Sequence, residues 1–153
     1  MRIADICTRS VVTCGRRTSA TEAAQLMREH HVGDLVVVEE RDGKVTPVAV
    51  VTDRDLVIEV MAQGLDPALA QVGDLIVDEL VTAAESEFVH DAVWHMRSKG
   101  IRRLPVTDAQ GKLTGVLTAG DVARCLAEEL IEIARIAPTQ VRRESVRRSA
   151  SRP

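Results

Sequence analysis

The sequence predicts an α+β fold made of two copies of one β-α-β-β-α unit, and three observations lead there. The first is an internal repeat: displaced by 69 positions, the first half of the chain falls on the second. The second is a change of periodicity that occurs in the same order in both halves, from a helical apolar face to two short extended runs. The third is composition. The 153 residues are 45% hydrophobic and 28% charged, a globular balance, yet they hold one Phe, one Trp and no Tyr. The core is therefore aliphatic. The stacked aromatic platforms of single-strand nucleic-acid binders are missing, and no apolar run reaches the ~20 residues of a membrane span. Asp5 argues against a secretory leader.

The repeat can be followed residue by residue. Asp5 meets Asp74, Val12-Thr13 meets Val81-Thr82, Ala23 meets Ala92, and Met27-Arg28 meets Met96-Arg97. Leu35 and Val37 meet Leu104 and Val106. The register then slips between the last two strands, where turns tolerate length changes. Beyond the slip, Gly43-Lys44 pairs with Gly111-Lys112, and Val50, Thr52 and Asp55 pair with Val116, Thr118 and Asp121. A unit of about 60 residues is marginal alone, so the halves are expected to share a core.

Each unit opens with a short extended piece, Val11–Thr13 or Leu80–Thr82. A helix follows from Ser19 to His30, with Ala20, Ala23, Ala24 and Met27 on its apolar face and a Ser19/Glu22 capping box. Its counterpart spans Phe88 to Lys99. Strands are expected at 35–39 and 48–52, then 104–108 and 113–118, joined by Asp42-Gly43 and Gln110-Gly111 turns. A second helix closes each unit, Asp53 to Ala62 and Ala119 to about Ile136, with Gly64–Gln71 as connector.

Val11-Val12-Thr13, Gly33-Asp34-Leu35-Val36-Val37-Val38 and Val50-Val51-Thr52-Asp53-Arg54-Asp55-Leu56, with their second-half counterparts Ile101–Asp108 and Gly111–Asp121, resemble a CBS domain occurring twice. The resemblance covers about residues 1–130 and implies a Bateman module. It would comprise CBS repeat 1 at 1–66, CBS repeat 2 at 67–136, and a basic, disordered tail at 137–153. It further implies a regulatory homodimer in the cytoplasm. Such a module binds adenosyl nucleotides (AMP, ADP, ATP, NAD or S-adenosylmethionine) in clefts between the repeats and signals occupancy to an unidentified target protein.

Thr-x-x-Asp is the sharpest local motif, present as Thr52/Asp55 and Thr118/Asp121 where the last strand of each unit enters the last helix. Its residues can act as a helix cap. The same carboxylate can also accept hydrogen bonds from the cis hydroxyls of a ribose, the role the resemblance assigns to both aspartates. Arg102 and Arg103 stand before the third strand of the second copy, where the resemblance implies phosphate contacts; a solvated surface pair is the alternative. The first copy has Gly33-Asp34 there, so the cleft that uses the arginines is expected to prefer the more phosphorylated ligand. Val12, Val81, Ile101 and Pro105 are candidate walls for an adenine base, or ordinary core residues.

Other chemistry has little to stand on. Cys7, Cys14 and Cys125 are odd in number with no CxxC spacing, which fits buried thiols in a reducing compartment. No histidine pair has i, i+4 spacing, and no metal site is expected. No nucleophile–base pair or Walker loop supports an enzyme. Net charge is −3, divided between +4 on residues 138–153 and −7 elsewhere. Leu126, Leu130, Ile133 and Ala137 form a stripe suited to a partner subunit or to the chain's own core. Two rival readings remain, a ligand-free interaction module and a nucleic-acid regulator acting through the arginine-rich tail.

Overall fold

The computed structural model describes residues 1–76 and 79–150, with side chains through Arg148. The chain forms two compact units, one spanning Met1–Ala119 and the other running from Gly120.

The first unit contains both repeats up to the start of the last helix of the second copy. In repeat 1, β1 (Thr13–Cys14) is followed by α1 (Ala20–His30), β2 (Asp34–Arg41), β3 (Lys44–Thr52) and a short α2 (Asp53–Asp55). In repeat 2, β4 (Ala83–Ala84) leads to α3 (Val89–Lys99), β5 (Arg103–Thr107) and β6 (Leu113–Thr118). Each repeat builds a three-stranded sheet, β1-β2-β3 or β4-β5-β6, whose first pair is parallel and second pair antiparallel.

Local chemistry explains the elements. Ser19 caps α1: its hydroxyl accepts from the Glu22 N–H at 3.2 Å, while Glu22 accepts from the Ser19 N–H at 2.8 Å. The β2–β3 turn places both Asp42 (φ 53°) and Gly43 (φ 72°) in the left-handed region, the conformation of a two-residue hairpin turn that Asp-Gly adopts readily. β3 tolerates Pro47 because it is an edge strand. The opening strands begin two to three residues later than the sequence suggests, at Thr13 and Ala83. The expected helix from Asp53 to Ala62 is divided: after α2 the chain runs through a π-helical segment, Leu56–Met61.

The core of repeat 1 gathers Cys14, Ala20, Ala23, Met27, Leu35, Val37, Ala49 and Val51 with Leu56 and Val60. Val72 and Leu75 belong to the same cluster, although they follow the connector. The positions equivalent to Ala23, Met27, Leu35 and Val37 in repeat 2, namely Ala92, Met96, Leu104 and Val106, are buried too. Fully burying an aliphatic side chain of this size contributes about 1.5–3 kcal/mol. Leu35-Val36-Val37 and Leu104-Pro105-Val106 are buried without alternation, so both faces of these central strands are covered. β3 lies against β6 where the repeats meet.

The repeats also exchange their opening segments. Residues preceding the first strand of each copy pack on the other copy, in the same register. The N–H of Ile3 donates to the Glu87 carbonyl at 2.9 Å, and that of Ala4 to Glu85 at 3.0 Å. Sixty-nine residues on, Val72 donates to Thr18 at 2.9 Å and Gly73 to Arg16 at 2.8 Å. Thr8 and Val116 exchange two backbone hydrogen bonds of 2.9 Å. A Cβ at Gly115 would stand 2.9 Å from the Thr8 carbonyl oxygen and 3.1 Å from the Cys7 sulfur, so glycine is what allows this close approach. The shared core expected from unit size is built by this exchange.

The second unit is helical. α4 (Ala119–Ala134) stops where the sequence suggested a continuation to Ile136, and α5 (Ile136–Ala150) follows. Pro138 explains the break: it has no N–H for the Ala134 carbonyl, and its ring crowds that oxygen. Within α5, Pro138 falls in the first turn, where intrahelical N–H bonds are not required. The basic stretch expected to be irregular is thus helical through Ala150, because Arg, Gln and Glu are good helix formers. Gln140 and Glu144 add an i, i+4 hydrogen bond of 3.0 Å. Residues 151–153 of the expected tail lie outside the described residues.

Candidate functional site

A cleft of about 290 Å³ opens in the first unit at the junction of the two repeats. Repeat 1 supplies the end of β3 and the turn into α2, including Thr52 and Asp55. The segment between the repeats supplies Leu75, Ile76 and Glu79, and repeat 2 supplies Val81, Ile101, Arg102 and Arg103. Six residues expected from the sequence therefore line one space.

Thr52 and Asp55 form a complete capping box. Asp55 Oδ2 accepts from the Thr52 N–H at 2.7 Å and from its hydroxyl at 2.8 Å, and the Asp55 N–H donates to Thr52 Oγ1 at 3.2 Å. All these carboxylate bonds use one oxygen. Among the described residues Asp55 Oδ1 has no hydrogen-bond partner, so the cap engages one carboxylate oxygen and leaves the other as an acceptor.

The two arginines differ. Arg102 is exposed, and its guanidinium pairs with no carboxylate among the described residues; its carbonyl accepts from the Ala119 N–H at 2.8 Å. Arg103 forms an ion pair with Asp34, the residue at the same place in repeat 1. The two side chains retain only 22% and 21% exposure. Burial pulls the Arg103 guanidinium below its ordinary pKa, since the charged form loses solvation there. Gly33 carries the counterpart backbone bond, its carbonyl accepting from the Asp53 N–H at 3.0 Å.

The cleft also holds residues that the sequence reading left unassigned. Arg54, Asp53 and Glu79 line it, so among the described residues its charged side chains are three arginines and three carboxylates. Asp53 and Arg54 stand inside the quoted Asp-Arg-Asp motif and could have been noticed. Glu79 enters from the segment between the repeats, which carries no motif.

The remaining candidates lie elsewhere. Pro105 is fully buried in β5 and lines no part of this cleft. Val12 packs against the core of repeat 1, its carbonyl accepting from the Val36 N–H at 3.1 Å. Thr118 ends β6 in the first unit. Asp121 stands in the first turn of α4, 2.9 Å from Arg124, and belongs to the second unit. None of the three cysteines is in a disulfide. Among the described residues, no three His, Cys, Asp or Glu side chains gather as a metal would need, and no helix is long and apolar enough to cross a membrane.

A cleft built from a strand–helix turn of one repeat and the segments leading into β4 and β5 of the other, in a doubled β-α-β-β-α chain, defines a class. The chain belongs to the CBS-domain family, whose profile matches residues 3–62 and again 72–128. It is 35% identical to hypoxic response protein 1 of Mycobacterium tuberculosis, over 83% of this chain and 86% of that one. It is 39% identical to an uncharacterized protein of Methanopyrus kandleri over 78% of its own length, and spans 60% of that protein. Among solved structures, a CBS domain protein of Pyrobaculum aerophilum complexed with AMP superposes with a TM-score of 0.73 at 28% identity, covering 86% of this chain and 99% of that one.

Proposed function

We propose that this protein is a regulatory module that binds an adenosyl compound in the cleft between its repeats and reports occupancy to a partner protein. One observation carries the reading. Thr52 and Asp55 of one repeat and Val81, Ile101 and Arg102 of the other line the same space. In this reading Asp55 Oδ1 accepts from the ribose hydroxyls, Val81 and Ile101 flank the base, and Arg102 meets a phosphate. The volume is at the small end of the ~300–1,000 Å³ of small-molecule sites. The AMP complex of the P. aerophilum relative supports the ligand class.

The protein acts as a binder and not a catalyst in this reading. The Thr52 hydroxyl and the Asp55 carboxylate are engaged with each other in the helix cap. It acts in the cytoplasm as a homodimer, for which the exposed Leu126, Leu130 and Ile133 of α4 offer a surface. Ligand shifts the partner's state only through unequal affinity for two arrangements of the module.

A thermal-shift panel of AMP, ADP, ATP, NAD(H) and S-adenosylmethionine tests the assignment. A specific ligand raises the melting temperature by mass action. Asp55→Ala, read against its own unliganded melting temperature, loses about 10- to 100-fold in affinity, the value of hydrogen bonds to a charged acceptor. A panel without any response, or an Asp55→Ala variant with full affinity, refutes the reading.

A further inference from the structure

Arg103 faces the candidate cleft but is held by Asp34, which does not line it. The two residues stand at equivalent places in the repeats, at the first positions of β5 and β2. Both side chains are largely removed from water. With Arg103 neutralised by its partner, the cleft presents Arg54 and Arg102 against Asp53, Asp55 and Glu79. Two cations facing three carboxylates form a poor seat for a chain of phosphates.

We propose that Asp34 sets the charge class of the ligand: by holding Arg103 it withholds that guanidinium from phosphate, and the cleft selects adenosyl compounds with at most one phosphate over polyphosphates. The inference rests on the adenosyl reading above and reverses the preference the sequence alone suggests for a cleft containing Arg102 and Arg103. A guanidinium fork fits a carboxylate and a phosphate by the same bidentate geometry, so the two compete for it. A polyphosphate that drew the Arg103 guanidinium fully into the cleft would leave the shielded Asp34 carboxylate without its counter-ion, an arrangement strongly disfavoured in a low-dielectric setting. A monophosphate is served by Arg102 alone and leaves the pair intact.

The test is calorimetric titration of the full chain with adenosine, AMP and ATP. The wild type is expected to bind AMP about tenfold or more tightly than ATP. Asp34→Asn, nearly isosteric, is expected to move the AMP-to-ATP preference about tenfold toward ATP, with adenosine affinity unchanged. The Asp34→Asn/Arg103→Gln double variant removes the released guanidinium and is expected to lose the gain for ATP. Tighter binding of ATP than AMP by the wild type overturns the proposal. So does an unchanged preference in a folded Asp34→Asn protein, or a shift toward ATP that the double variant retains. Should Asp34→Asn not fold, the wild-type preference and the double variant decide. Failure of the wild type to bind adenosine, AMP or ATP instead refutes the underlying adenosyl reading, and this inference with it.

Discussion

Chain ends usually fray and tolerate truncation, but Ile3 is expected to behave as a core residue of the second repeat, whose family match begins at residue 72. Its side chain has no solvent exposure, and its N–H is bonded to the Glu87 carbonyl. The arm around it is fastened at several points: Arg2 bonds the Ser86 carbonyl and lies 5.0 Å from the Phe88 ring centroid, and Arg9 pairs with Glu85 at 2.9 Å. Ile3→Ala removes three buried carbons at about 0.8 kcal/mol each and adds a cavity term, about 3 kcal/mol in total. At about 2–4 °C per kcal/mol for a chain of this size, the melting temperature falls by roughly 6–12 °C. Calorimetry or circular dichroism measures the shift. Amide exchange localises it, because the Val116 N–H, bonded to the Thr8 carbonyl, should lose protection. Leu69→Ala is the control: at 77% exposure it is expected to cost less than about 0.5 kcal/mol. A melting temperature within about 2 °C of wild type for Ile3→Ala, with unchanged protection at Val116, would show that the arm is an appendage and refute the argument.

Two further predictions concern single side chains. Burial pushes the Cys14 thiol from its ordinary 9.0 to about 11. Between those values the unfolded chain has released its proton while the folded one retains it, so stability falls as pH rises, by up to ~1.4 kcal/mol per pH unit, and levels off above the folded value. Urea midpoints measured from pH 8 to 11 should show this loss in the wild type and a flatter limb in Cys14→Ala; identical slopes would contradict it. Ser19→Ala removes the α1 cap and is expected to cost about 1 kcal/mol. Bonds from Ser19 hold the Glu22 carboxyl below its ordinary pKa, so their contribution is present at neutral pH and lost as pH falls through the lowered value. A cap mutant whose deficit did not shrink in acid would count against the reciprocal bonding.

Local order was legible where it rests on local chemistry. The Ser19/Glu22 cap placed α1 and apolar spacing placed α3 to within a residue, and Asp42-Gly43 marked its hairpin. β1 and β4 were displaced because two-residue parallel strands are fixed by their neighbours and carry no period of their own. The π-helical segment after Asp55 was illegible, since side-chain spacing over six residues does not separate one helical hydrogen-bond pattern from another. The candidates carried by the repeat, Thr52, Asp55, Val81, Ile101 and Arg102, line one cleft. Arg103 was read as a second free cation because its partner is remote in sequence. A signal was nonetheless present: the repeat register sets Asp34 opposite Arg103, and opposite charges at equivalent positions of two packed copies are candidates to pair. Pro105, read as a base wall or as core, matches Val36 in the repeat, and both are interior residues of central strands.

The crossed arms bear on how such a chain could arise. A protein of one repeat would carry an arm that fits its own kind, and could complete its sheet and core only by taking the arm of a second molecule while lending its own. That is a swapped symmetric dimer, stable only above some concentration. Joining two copies end to end keeps every contact and makes the encounter intramolecular, at an effective concentration in the millimolar range for a short tether. Once joined, the copies need no longer be identical. Asp34 and Arg103 occupy what would have been one position facing itself, where two like charges would repel; a fused pair, unlike a symmetric dimer of identical chains, can place an acid on one side and a base on the other.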